Sequence, residues 1–325
     1  MKLAILALDG VFDTGLATVL DVFTTANELG AIHAPGIETR FDIEVIGVRD
    51  VVQTALGMRV PVKPASAMDR PDWLIVPALG TKMPEQLLAA LSRNDVVDAG
   101  AMLRDARANG TGIAAACIGT FVLAGSGVLD DHVATTTWWL APIFRQRYPN
   151  VLLDTTRMVV PSGPFVTAGA ALGHIDLAFW LLNRASPELA SIVARHLLVD
   201  SRPSQAPYVI PNYLASADPL VERFEQWARN RLAEGFSLDD AANALSSTPR
   251  TLQRRVEAAL GRSPLAYFQD LRIERAVHLL RTSHLNVEAI ASEVGYGDGA
   301  TLRSLLRRRL GQGVREIRQA GTSRT

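Results

Sequence analysis

Two groups of residues in this 325-residue chain have the types and spacing to do chemistry. One centres on the single cysteine, Cys117, set directly after the apolar run Ile113–Ala116 and before Ile118, Gly119 and Thr120. A cysteine at a strand-to-helix turn can sit at a helix N-terminus, where the thiolate is stabilised and becomes nucleophilic. A free cysteine is also at home as a small buried hydrophobe, and the local sequence favours that reading. The other group is a set of arginines near the C-terminus. Arg250, Gln253, Arg254 and Glu257 fall on one side of a helical pattern whose other side is Leu252, Val256 and Leu260. Arg303 and Arg307 stand in the same relation to Leu302, Leu306 and Leu310, with Arg308 and Arg309 adding charge nearby. Arginine pairs bidentately with guanine and glutamine with adenine in the major groove, so this is the layout of helices that read DNA.

The charge distribution agrees with that division. The formal net charge is zero, yet residues 1–200 carry 15 basic and 20 acidic side chains, and residues 201–325 carry 18 basic and 13 acidic. A basic C-terminal third in a neutral chain suggests a polyanion that only this part touches. One cysteine excludes an intramolecular disulfide framework and a zinc-ribbon site. His33, His174, His196, His278 and His284 show no metal-ligand spacing, and there is no Walker-type phosphate loop or serine elbow, so no cofactor is expected. Lys2 is followed at once by a short apolar run and Asp9, which is not a signal-peptide architecture. The uncharged stretch Ala108–Leu129 is interrupted by Gly110, Gly112, Gly119, Gly125 and Gly127. It reads as a strand, a turn and a helix rather than a membrane span, and a cytoplasmic protein with no membrane partner is expected.

The elements that must position these residues fall into two styles. Strand-like segments at Leu3–Leu8, Phe41–Val48, Trp73–Val76, Gly112–Ala116 and Thr167–Ala171 alternate with helical ones at Thr18–Leu29, Met83–Asn109, from about Gly119, and Ile175–Leu182. That alternation predicts a mostly parallel sheet covered on both faces. Ser201–Pro219, with Pro203, Pro207, Pro211 and Pro219, reads as a linker, and a helix over Leu220–Leu232 ended by Gly235 leads out of it. From Phe236 the pattern is all helix, and it repeats. Leu238, Ala241, Ala242 and Leu245 match Val287, Ile290, Ala291 and Val294 at an offset of 49, while Thr251, Leu252 and Gly261 match Thr301, Leu302 and Gly311 at an offset of 50. Two copies of one supersecondary unit are predicted, joined by a long helix over Pro264–Leu280. Thr248 and Pro249 predict the N-cap and first position of the first reading helix, Gly261 its end, and Asp298 the cap of the second.

The runs Ser237–Ala242, Ser247–Arg255, Leu260–Pro264, Leu271–Ala276 and Ile290–Tyr296 resemble the AraC/XylS transcription regulators over about residues 236–318. The resemblance implies a double helix-turn-helix domain that binds promoter DNA. It implies that Arg250, Gln253 and Arg254 read bases from the first helix and that Thr301, Arg303 and Ser304 sit at DNA-facing positions of the second; Thr251 and Arg307 are also expected to contact DNA. Gly299 and Ala300 stand where the family often has polar residues, Leu302 and Leu306 replace its usual phenylalanines, and Gly313–Arg318 replaces its closing proline-and-tyrosine motif. The second helix is therefore expected to contribute mainly phosphate contacts, which position without specifying sequence.

Ala114–Ala124, Gly127–Asp130, Ala134–Trp138, Thr167–Ala170 and Gly173–Asp176 resemble the ThiJ/PfpI branch of the class I glutamine amidotransferase-like fold, over about residues 1–185. The architecture implied is a flavodoxin-like α/β sandwich over 1–185, a helix, Pro/Ser-rich linker and linker helix over 186–235, and an all-α double helix-turn-helix domain over 236–320, the GlxA-like arrangement. Enzymes of the first fold pair their cysteine with a histidine and a carboxylate. The histidine would follow the alanine-threonine-threonine run, where this chain has Thr137; the carboxylate would fall on Gly15, with Asp13 two residues off and His132 five residues before the expected place. No catalytic residue is therefore assigned. Cys117, Ile118, Thr137, Trp138, Asp13 and His174 are expected to line a pocket for an unidentified small-molecule effector, in a homodimer that could also contact RNA polymerase. The rival is a cysteine-dependent enzyme of the isocyanide hydratase or amidase kind fused to a DNA-binding domain, which requires a reactive thiolate. A third possibility is a purely structural oligomerisation module with a closed pocket.

Overall fold

A computed structural model describes residues 1–33, 39–65, 70–81, 83–205 and 218–322. The chain divides into two compact units, Met1–Val209 and Ile210–Thr325. Most of the proline-rich stretch expected as a linker, including Pro207 and Pro211, lies outside the described residues.

In the first unit the strands are β1 (Lys2–Leu6), β2 (Asp42–Gly47), β3 (Val51–Gln53), β4 (Arg59–Pro61), β5 (Lys63–Pro64), β6 (Trp73–Val76), β7 (Gly112–Ala116), β8 (Val133–Ala134), β9 (Leu152–Leu153), β10 (Val159–Ser162) and β11 (Phe165–Ala168). The helices are α1 (Asp13–His33), α2 (Pro84–Leu91), α3 (Asn94–Ala108), α4 (Gly119–Gly125), α5 (Ala141–Arg147), α6 (Gly173–Ala185) and α7 (Pro187–His196). Seven strands form one sheet in the order β10-β11-β7-β6-β1-β2-β5. Among the described residues of this sheet, β10–β11 is its one antiparallel pair. Strand side chains alternate between faces, so Ile113, Ala115 and Cys117 join one core while Ala114 and Ala116 join the other. Residues of α2, α3, α4 and α5 cover the first face; residues of α1, α6 and α7 cover the second.

Several boundaries differ from the sequence expectation. The helical stretch expected over Met83–Asn109 is two helices, with Ser92 and Arg93 turning between them. The strand expected over Thr167–Ala171 begins at Phe165 and stops at Ala168, because Ala170 takes a left-handed backbone, φ 64°. The β3–β4 hairpin and β10 had no sequence signal. Their strands are three and four residues long, too short to show a period of two.

The second unit is α8 (Pro219–Arg229), α9 (Leu238–Ala244), α10 (Pro249–Leu260), α11 (Pro264–Thr282), α12 (Val287–Glu293), α13 (Gly299–Leu310) and α14 (Val314–Thr322). The helix expected to reach Leu232 stops at Arg229, and the turn after it folds Leu232 back into the core. The internal repeat is visible in the backbone. Ser237 and Asn286 cap α9 and α12 through Asp240 N and Ala289 N. Thr248 and Asp298 cap α10 and α13 through Thr251 N and Thr301 N. The turns inside the two helix pairs both contain a left-handed residue, Ser246 at φ 53° and Gly295 at φ 78°. Gly261 and Gly311 end α10 and α13 at φ 66° and 69°. Each copy has its own core, and α11 gives its first half to one and its second half to the other.

Candidate functional site

The exposed faces of α10 and α13 carry the arginines. Leu252 and Val256 anchor α10, and Leu302 and Leu306 anchor α13, all with no exposed surface. Leu260 is buried too, whereas Leu310 is only half-buried. With those residues inward, the helical period turns Arg250, Gln253 and Arg254 outward from α10, and Thr301, Arg303, Ser304 and Arg307 outward from α13. Among the described residues Arg250, Arg254 and Arg307 make no hydrogen bond or ion pair. The others already have partners. Gln253 Nε2 donates to Glu257 Oε1 at 3.0 Å, and Arg303 pairs with Glu288 at 3.0 Å. The half-buried Thr251 shares a 2.9 Å hydrogen bond with the Thr248 hydroxyl, and the Thr301 hydroxyl donates to Asp298 Oδ2 at 3.0 Å. These two threonines belong to the capping boxes as much as to the outer face. Arg255, next to the reading residues, points elsewhere: it grips Asp218, the N-cap of α8, through two bonds of 2.6 and 2.7 Å. The 19 residues of α11 span about 28 Å, which sets the scale of separation between the two helix pairs.

In the α/β unit the six candidate pocket residues are all buried: Cys117, Ile118, Thr137, Trp138, Asp13 and His174. Cys117 closes β7 with a left-handed backbone, φ 55°, held by its N–H donating to Ala168 O and its carbonyl accepting from the Thr136 hydroxyl at 2.6 Å. Burial pushes its thiol up to about 12. The Ile118 amide acts the other way, as does the Thr137 hydroxyl, which lies beside the sulfur and has no other partner. Burial and the raised pKa both favour the protonated thiol, which packs as a small hydrophobe and weak donor.

The residues that could activate it are engaged elsewhere. His132 lies just past the turn ending at Asp131, its Nδ1 3.2 Å from the Ser162 hydroxyl and its ring 4.8 Å from that of Phe165. Phe165 pairs with Ile113, at the opposite end of β7 from Cys117. His174 uses both ring nitrogens on backbone: Nε2 accepts from Ala78 N at 3.0 Å and Nδ1 donates to Ala171 O at 2.7 Å. Burial holds its pKa down to about 4, the Ala171 carbonyl acting the other way, so the ring is neutral at physiological pH. The missing carboxylate has a steric reason. A Cβ on Gly15 would stand 2.6 Å from His174 Nε2, so the imidazole fills the space a side chain would need. Asp13 holds the β3–β4 hairpin, its Oδ2 accepting from Leu56 N at 3.0 Å, while its buried Oδ1 has no partner.

One residue in this region had no sequence signal. Gln205 has no exposed surface, and its Nε2 donates to Thr135 Oγ1 at 2.9 Å and Thr136 O at 3.1 Å. It fits because Gly169 has no side chain; a Cβ there would stand 2.3 Å from Gln205 Nε2. Its Oε1 is buried and unpaired, as is the Thr120 hydroxyl beside Cys117. A glutamine inside a Pro/Ser-rich stretch reads as solvated linker, and only the distant glycine shows that it is inserted.

Fold and site together define a protein of two parts: a flavodoxin-like α/β unit with a buried cysteine and a duplicated helix-turn-helix unit with its arginines outward. The helix-turn-helix domain family matches residues 241–320. The chain is 28% identical over 223 residues to the HTH-type transcriptional regulator ArgR of Pseudomonas aeruginosa, covering 67% of this chain and 68% of that one. It is 24% identical over 191 residues to the HTH-type transcriptional regulator GbdR of Pseudomonas aeruginosa, of which the match spans about half, 52%. Among solved structures, an AraC family transcriptional regulator from Pseudomonas putida matches at TM-score 0.50 and 22% identity, covering 60% of this chain and 98% of that one. A ThiJ/PfpI family protein from Pseudomonas syringae matches at TM-score 0.51 and 17% identity, covering 75% and 90%. Residues 241–320 thus form a helix-turn-helix domain similar to those of AraC-like regulators, and the N-terminal unit has the flavodoxin-like fold seen in the ThiJ/PfpI family protein. No helix among the described residues is long and apolar enough to cross a membrane.

Proposed function

We propose that the chain is a cytoplasmic, sequence-specific DNA-binding transcription regulator whose N-terminal unit senses a small metabolite without catalysis. The observation that carries the reading is the pair of capped, repeat-related helices holding Arg250, Arg254 and Arg307 outward with no partner among the described residues. Unpaired guanidiniums at the start of a reading helix suit guanine edges, and those further along suit phosphates. Arg303 leaves Glu288 for DNA, so that contact is made at the expense of an existing pair.

The non-catalytic reading is supported by the buried thiol, whose burial favours the protonated form, and by Thr137 in the place a histidine would take. The unpaired polar atoms of Asp13, Thr120 and Thr137 suit a ligand with both donors and acceptors. Gln205 is bonded to the segment carrying Thr135–Thr137, so a ligand that disturbs this segment also disturbs Gln205. The effector acts through its differential affinity for two arrangements of a homodimer, with RNA polymerase as a further partner.

A gel shift on the region upstream of the chain's own gene tests the DNA claim, and a thermal-shift screen against a metabolite library tests the sensor claim. The left-handed backbone at Cys117 is the one observation on the side of an enzyme, since strained turns cluster at active sites. The pH dependence of iodoacetamide alkylation separates the two. A rate that stays negligible at neutral pH supports the sensor, and a thiolate titrating below about 8.5 supports the enzyme.

A further inference from the structure

α11 joins two cores that share no residue. Tyr267, Phe268 and Leu271 belong to the first, and Ile273, Ala276, Leu279 and Leu280 to the second. A helix fixes the distance along its axis, but its bend and the seating of what packs on each end depend on the side chains that brace it. Two residues near the middle of α11 do this. Asp270 receives Arg262, just beyond the Gly261 cap of the first reading helix, and Arg309, in the last turn of the second. Arg309 also donates to Gln269 Oε1 at 3.4 Å. Arg272, two positions on and so about 200° round the helix, donates to the carbonyls of Leu232 and Glu234 in the first half. Its guanidinium also stacks over the Tyr296 ring of the second half, 5.4 Å from the centroid. The two halves are thus tied together on opposite sides of the connecting helix.

We propose that Asp270 is a positioning residue for DNA reading: by holding one arginine from the end of each reading helix, it fixes the angle between them, and with it the spacing of the two half-sites in the duplex the protein selects. The side chains of Asp270, Arg262 and Arg309 are 18%, 34% and 33% exposed, so the three charges are screened less than a pair standing in water. One carboxylate faces two guanidiniums. Removing its charge therefore does more than lose two attractions, because it leaves two like charges facing each other across the junction. Neither arginine lies among the outward reading residues, so the effect falls on geometry and not on base contacts.

The proposal rests on the DNA-binding reading above, and its test separates the two. The full-length wild type and Asp270→Asn are each used to select from a random duplex library. The wild type enriches two motifs at one spacing. Asp270→Asn enriches the same motifs at several spacings, and its discrimination against a duplex with one base pair inserted between them falls about fivefold. Asp270→Glu, which keeps the charge, restores the single spacing. In parallel, spin labels on Ala258→Cys and Ala300→Cys report the angle without DNA. Their distance distribution is narrow in the wild-type background and broad with Asp270→Asn. Should Asp270→Asn fail to fold, Arg262→Gln and Arg309→Gln each cut one arm and carry the same expectation. An unchanged spacing, or an unchanged narrow distance distribution, overturns the proposal. A wild type that enriches no sequence sinks the DNA-binding reading instead, and the label distances still decide whether Asp270 sets the angle.

Discussion

The two units treat their polar side chains in opposite ways. Around Cys117 the groups with chemical potential are turned inward, and several have no partner: Asp13 Oδ1, and the hydroxyls of Thr120 and Thr137. On α10 and α13 they are turned outward, and the unpaired ones are guanidiniums already in water. Leaving a buried polar atom dry costs free energy, so the inward groups carry a deficit. A solvated arginine carries no such deficit, and gains only from a partner that brings dense negative charge. The contrast teaches that one chain can keep unpaired polar atoms inside one unit and unpaired guanidiniums in water on the other.

The hardest way to break the contrast is through the cores that enforce it. Leu302→Ala empties a fully buried position under α13 and is expected to cost the helical unit roughly 2–5 kcal/mol. Differential scanning calorimetry should show that loss in one transition, with the α/β unit's transition unmoved. Gly15→Ala attacks the other unit. The new methyl meets the His174 ring, and the expected loss is about 1–3 kcal/mol, this time confined to the α/β transition. Arg254→Ala changes no core. Its melting should match the wild type's while affinity for a selected duplex falls roughly tenfold to a hundredfold. If the variant binds as tightly and as selectively as the wild type, α10 is not the reading helix.

The most gradual effect, spread over more than two pH units, sharpens the inward side. His174 protonates in the unfolded chain near 6.5 and in the folded protein only near 4. Its contribution is therefore complete above pH 6.5 and is lost as the pH falls toward 4, at on the order of 1 kcal/mol per unit. Urea unfolding across that window measures the slope, and NMR titration of the ring shows directly whether it stays neutral through pH 5.

Much of the helical unit was readable in advance. The offsets of 49 and 50 residues in the sequence reappear as paired caps at Ser237 and Asn286, paired left-handed turns at Ser246 and Gly295, and paired ends at Gly261 and Gly311. The same holds for β6, β7 and the burial of Cys117, whose apolar flanks announce an interior strand. The short hairpin, the return of β10 and the position of His132 at the far end of β7 were not readable, because they depend on pairings between distant segments.

By itself the sequence determined whatever a few neighbouring residues decide together: helical period, capping, the end of a helix at a glycine, and which side of α10 and α13 is apolar. Those preferences act over one or two turns and need no partner from elsewhere in the chain. Tertiary structure alone decided that His174 fills the space above Gly15, that Gln205 enters the gap at Gly169, and that Asp270 joins Arg262 to Arg309. Each depends on which distant atoms share a small volume, and side-chain type and spacing along the chain carry no record of that until the layers have packed.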